Sequence, residues 1–122
     1  MVVIRKVCRL AWFLLVMSVL SFASCGVAES PEVSVGADGT PDWVLASGRE
    51  VFVDRCSSCH DGDGSGTITG PRLNNGRLLA VYSDLEAAAV VVSQGRNGMP
   101  GFSSSLTSAE INAVLRYISE VL

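Results

Sequence analysis

"DRCSSCHDGDGSG", residues 54–66, admits three chemical readings before the rest of the chain is consulted. Cys56, Cys59 and His60 have the spacing of a redox dithiol, of part of a zinc site, or of a haem attachment point. The following "DGDGSG" has the beginning of a calcium-binding loop. The remaining residues decide among them.

Calcium fails at the far end of the loop. Counting from Asp61, the twelfth position must supply a bidentate carboxylate, and it is Arg72. The bland alternative is a solvated glycine-rich turn. A structural zinc site needs four ligands, and past the N-terminal 25 residues the chain offers Cys56, Cys59 and His60 with no second cysteine pair and no other histidine. A thioredoxin-like dithiol belongs after a strand in a βαβ unit, a pattern absent here. A purely structural disulfide across two residues is strained and leaves His60 unexplained. Haem accounts for all three residues: two thioether bonds fix the porphyrin edge, and the next residue, His60, falls beneath the iron.

The N-terminus sets the compartment. Arg5, Lys6 and Arg9 precede an apolar run from Leu10 to Leu20, which closes on Ala23, Ser24, Cys25 and Gly26. This is the three-part layout of a secretory signal peptide over residues 1–24. "SFASC" resembles a bacterial lipobox, in which the cysteine is lipidated and becomes the first mature residue; Phe22 departs from the usual leucine. The uncharged run is also long enough for an uncleaved signal anchor. All of these outcomes are extracytoplasmic, on the periplasmic or cell-surface side. Without residues 1–24 the chain keeps six Arg against 12 acidic residues, a formal charge of −6, and no Lys. Such a domain is a poor nucleic-acid binder.

Residues 25–42 mix Gly, Pro, Ser and acidic side chains without apolar periodicity and read as a flexible tether. Beyond it, residues 43–122 form one all-α domain. Three capping boxes are expected to start its helices: Ser47 with Glu50, Ser83 with Glu86, and Thr107 with Glu110. The last helix is the clearest, since Ile111, Val114, Leu115, Ile118 and Leu122 recur at helical spacing. The second carries Leu85, Ala88, Ala89 and Val92 and stops at Gly95. Three helices of this size with long loops enclose little apolar volume, so a covalently held porphyrin is expected to complete the core.

Met99 is the only methionine outside the leader, and it sits in "NGMPGF". An isolated methionine is more often core filler. Flanking glycines and Pro100 instead suit a ligand presented by backbone.

With these residues in place, the chain from about Trp43 to Leu122 resembles a small bacterial class I c-type cytochrome, three to four short helices around one haem c. The resemblance rests on "GREVF", "CSSCH", "GPRL", "GMPGF" and "VLRY" in that order. It implies that Gly48 and Phe52 pack against Val114 and Tyr117, that the Pro71 carbonyl accepts a hydrogen bond from His60, and that Met99 is the axial ligand opposite His60. The cofactor-binding residues are then Cys56, Cys59, His60, Pro71 and Met99, with His60 and Met99 on the iron. The implied function is one-electron transfer between redox protein partners of a respiratory chain, with membrane attachment through lipid at Cys25 or a signal anchor. No small-molecule substrate, catalytic residue or nucleic-acid partner is implied. Alternatives are a haem subunit of an oxidase or dehydrogenase complex, or an open-site haem peroxidase or sensor.

Overall fold

The computed structural model describes residues 28–122; the expected signal peptide, the lipobox-like stretch and Cys25 lie outside the described residues. Five helices follow: α1 (Trp43–Val51), α2 (Ser57–His60), α3 (Leu78–Val81), α4 (Leu85–Gln94) and α5 (Ser108–Glu120). A π-helical turn, Phe52–Cys56, joins α1 to α2. No strand is present among the described residues, only isolated bridges at Val35–Pro41 and Arg96–Met99. The domain is all-α, as the sequence indicates.

Of the three expected capping boxes, only the third starts its helix in full. Glu110 N donates to Thr107 Oγ1 at 3.3 Å, while Thr107 N donates to Glu110 Oε2 at 2.7 Å. The first helix is capped five residues earlier than Ser47, at Asp42, whose carboxylate takes the amides of Val44 and Leu45, at 2.9 and 3.2 Å. Ser47 and Glu50 are helix interior, where their spacing is simply that of two residues on one face. At the second, Asp84 displaces its neighbour Ser83 as cap and accepts from Ala87 N at 2.7 Å. Two adjacent cap-forming residues competed, and the carboxylate took the amide three residues on. Gly95, with φ 81°, ends α4 as expected.

The core forms where α1 meets α5. Gly48 is essential there: a Cβ on it would lie 2.1 Å from the Ala113 carbonyl oxygen and 3.0 Å from Tyr117 Cβ. The two backbones therefore touch, and one turn further Phe52 meets Tyr117 with ring centroids 5.7 Å apart, tilted by 48°. Both are fully buried, with Val51, Val114 and Ile118 around them. A second cluster, Ala88, Ile111 and Leu115, joins α4 to the other side of α5. Leu78 and Leu106 touch both clusters.

The segment read as a tether does not hang free. Val33 packs on the main cluster, and Arg49, Tyr117 and Gly62 all hold backbone or side-chain atoms of Ser30 and Pro31. Composition hid most of this, because, beside the Glu32–Arg49 ion pair and the Ser30 hydroxyl, the polar contacts run through carbonyl oxygens that any sequence would supply.

Two outcomes are expected. Phe52→Ala removes the anchor of the helix contact and should cost about 3–5 kcal/mol in denaturant unfolding; a loss below about 1 kcal/mol would place the stabilising contact elsewhere. The second concerns pH. Amides of the first helical turn hold Asp42 below the ordinary carboxylate range, with Leu45 the largest contributor, and the Thr107 amide does the same for Glu110. A depressed folded value stabilises above the unfolded pKa of about 4 and is lost as pH falls through the folded one. The thermal midpoint should hold from neutral pH to about 5 and decline below about 4, less steeply in Asp42→Asn.

Candidate functional site

His60 is the last residue of α2 and is buried. Its Nδ1 lies 2.8 Å from the Pro71 carbonyl oxygen. A carbonyl can only accept, so Nδ1 carries the proton, and in the neutral ring Nε2 is then the nitrogen with the free lone pair. The tautomer suited to metal coordination is thus set by the backbone eleven residues downstream.

The loop between them is held in register by its own hydrogen bonds. Gly66 N donates to the His60 carbonyl at 2.8 Å, Thr67 Oγ1 to the Cys59 carbonyl at 2.5 Å, and Thr67 N to the Gly70 carbonyl at 2.9 Å. At Gly70 a Cβ would fall 2.6 Å from the Cys59 oxygen and 3.0 Å from His60 Nδ1, so only glycine lets the chain pass this close to the imidazole. Thr67 has no counterpart in the sequence reading; its signal was a hydroxyl three residues before a Gly-Pro pair. The Asp61 and Asp63 carboxylates are turned to Gly62 N and to Ser65, at 2.7 to 3.2 Å, in local turns. Ser65 holds Asp63 below the usual carboxylate range. Among the described residues no three His, Cys, Asp or Glu side chains gather as a metal cluster. Neither a calcium loop nor a zinc site has its ligands.

Cys56 closes the π turn, and Cys59 lies one helical turn on, beside His60. Both thiols are free and half-buried. Burial, with a smaller push from Cys59, raises the Cys56 thiol to about 11. Two unpaired thiols one turn apart, next to an imidazole with a free Nε2, fit a covalently attached haem and do not pair with each other.

Met99 is half-buried in a tight hairpin. Arg96 N donates to the Met99 carbonyl at 3.1 Å and Met99 N to the Arg96 carbonyl at 3.0 Å, with Asn97 at φ 53° in the turn. Phe102 N and Ser103 N then bond the Val92 and Ser93 carbonyls, at 2.9 and 3.1 Å, which fastens the loop to the end of α4. Arg96 Nη1 reaches Tyr82 Oη at 3.4 Å and links this loop to the segment that carries Pro71. Helix α3, which the sequence reading missed, lies in that segment; four residues without a side-chain cap give little periodic signal.

A helical domain with this pair of thiols and this imidazole defines a c-type haem protein. Residues 44–118 match the family model described as cytochrome c oxidase, cbb3-type, subunit III. The chain belongs to this family of c-type cytochrome domains and carries one covalently attached haem c, Cys56 and Cys59 occupying the cysteine positions of the attachment motif. It is 34% identical over 76 residues to a cytochrome c6 of Synechococcus elongatus, covering 61% of this chain and 86% of the relative. To a cytochrome c6 of Picosynechococcus it is 34% identical over 97 residues, with 71% and 83% covered. A cytochrome c6 of Tetradesmus obliquus is 32% identical over 77 residues, with 61% and 86% covered. The chain is accordingly a mono-haem electron-transfer protein and not an enzyme.

Protein matured in a host that attaches haem c should stay red after acid-acetone extraction. The haem mass should remain on the proteolytic peptide containing Cys56 and Cys59. Colour that leaves with the solvent would contradict covalent attachment.

Proposed function

We propose that the protein shuttles single electrons between extracytoplasmic redox proteins of a respiratory chain, with Cys56 and Cys59 in thioether linkage and His60 and Met99 as the axial ligands. Haem c supplies the one-electron iron couple. The observation that carries the reading is the imidazole of His60, buried, with Nδ1 committed to the Pro71 carbonyl and Nε2 free. Pro71 orients the ring and raises the basicity of Nε2 through that hydrogen bond. Met99 is held in a hairpin whose backbone bonds to α4 leave it few conformations. Pro100 further restricts Met99 to extended backbone. With both His60 and Met99 holding the iron, no position would remain for a small ligand, and the protein would act as a carrier and not as a peroxidase or sensor.

The charge distribution bears on the partner. Residues 64–83 and 87–109 contain Arg72, Arg77 and Arg96 and no Asp or Glu, although the domain as a whole is acidic. These are the segments that carry Pro71 and Met99. A partner presenting carboxylates to this face is therefore favoured, and its association would slow as salt rises.

The leader over residues 1–24 exports the chain, and lipid on Cys25 holds it at the membrane surface. Among the described residues no helix is long and apolar enough to cross a membrane. A second reading, a haem subunit of an oxidase complex, is favoured by the description of the matching family. Co-purification from native membranes distinguishes a subunit from a mobile carrier.

Met99→Ala tests the ligand assignment. A neutral thioether favours ferrous iron, so its loss should lower the reduction potential in voltammetry and make the ferrous protein bind carbon monoxide. Wild-type protein that already binds carbon monoxide readily would reject Met99 as ligand.

A further inference from the structure

The residue that follows His60 has a backbone conformation that side chains with a Cβ avoid. Asp61 stands at φ 68° and ψ 157°, a region that is essentially glycine's alone. A non-glycine residue persists there only when its surroundings over-determine it. Its own loop supplies part of that constraint: Gly62 N donates to Asp61 Oδ1 at 2.7 Å, Ser65 Oγ to Oδ2 at 3.2 Å, and Gly64 N to the Asp61 carbonyl at 3.1 Å.

The rest comes from the leading strap. Ser30 is buried and donates its Oγ to the Gly62 carbonyl at 2.6 Å, across 32 residues of sequence. The Ala28 carbonyl oxygen occupies the space of a Gly62 side chain, 1.6 Å from where a Cβ would stand. The strap is fastened in turn to both terminal helices. Arg49 of α1 donates to the Ser30 and Pro31 carbonyls at 2.9 and 3.0 Å, and Tyr117 of α5 donates its hydroxyl to the Pro31 carbonyl at 2.7 Å. Burial and these bonds make Ser30 a fixed point against which Gly62 is held.

We propose that the strap Ala28–Pro31 is a clamp that keeps Asp61 and Gly62 in the strained conformation, and that Ser30 is thereby a positioning residue for His60. The proposal rests on the reading of His60 as an iron ligand. Once the clamp is released, Asp61 relaxes toward ordinary φ, and the strand of loop from His60 to Pro71 loses its register at the start. Two bonds feel this first: Gly66 N to the His60 carbonyl, and His60 Nδ1 to the Pro71 carbonyl. A weaker bond at Nδ1 makes Nε2 a poorer donor, which favours ferrous iron and raises the reduction potential. This sign is opposite to that expected for loss of Met99.

The experiment uses the purified holoprotein and four variants: Ser30→Ala, Ser30→Thr, Asp61→Gly and the double variant Ser30→Ala/Asp61→Gly. Ser30→Ala should raise the midpoint potential in voltammetry and speed amide exchange at Gly64 and Gly66 by about tenfold or more. Ser30→Thr keeps the hydroxyl and should restore both. Glycine at 61 has no strain to hold, so the Ser30→Ala effect should shrink or vanish in that background, a coupling that a merely local packing role would not produce. Unchanged potential and exchange in Ser30→Ala overturns the proposal, as does the same shift in both backgrounds. Faster exchange at an unchanged potential overturns the link to His60. Failure of the ligation reading itself has a separate signature, a His60→Ala holoprotein that keeps the wild-type absorption spectrum.

Discussion

The fold depends on two helix backbones touching where Gly48 faces the Ala113 carbonyl. That contact sets the depth at which Phe52 enters the interior, and Tyr117 closes over it. The π turn begins at Phe52 itself and delivers Cys56, Cys59 and His60 within the next two turns. Such turns are rare and tend to occur where function places side chains. One residue more in a helical turn rotates all that follows by about 100° about the axis, so the direction in which the two thiols and the imidazole emerge is fixed at the crossing. The site is built outward from the core contact.

The small core explains why a covalent group belongs here. Two apolar clusters share only Leu78 and Leu106, while Ile68, Leu79 and Val81, in the segment around Pro71, stand exposed. The loops that frame the site are held mainly by hydrogen bonds, with Leu73 and Leu106 as their apolar footholds on the core. Such loops keep a ligand's orientation well but cannot by themselves exclude water. A haem bonded to the chain at two points supplies the apolar body that the helices do not.

Much of this was legible in the sequence, for identifiable reasons. Helix α5 was clear because its buried residues repeat at helical spacing and Thr107 and Glu110 form a closed cap. Gly48, Phe52, Val114 and Tyr117 met as the resemblance implied, and the Pro71 carbonyl lies at His60 Nδ1. Cap positions at Ser47 and Ser83 were misplaced because Asp42 and Asp84 offered stronger acceptors nearby. The π turn and α3 left no periodic mark. The docked strap was invisible for a different reason: Arg49 and Tyr117 bind main-chain oxygens, and nothing in the side chains of Ser30 or Pro31 announces that. Asp61 belongs with it, since a strained backbone is a property of the surrounding contacts and not of the residue.

Magnetic circular dichroism of the ferric holoprotein in the near infrared tests the central claim most directly, because the charge-transfer band there reports both axial ligands of a haem. The account predicts a low-spin band of the imidazole–thioether type, from His60 and Met99. A high-spin spectrum, or a low-spin band of imidazole paired with an oxygen ligand, would contradict it.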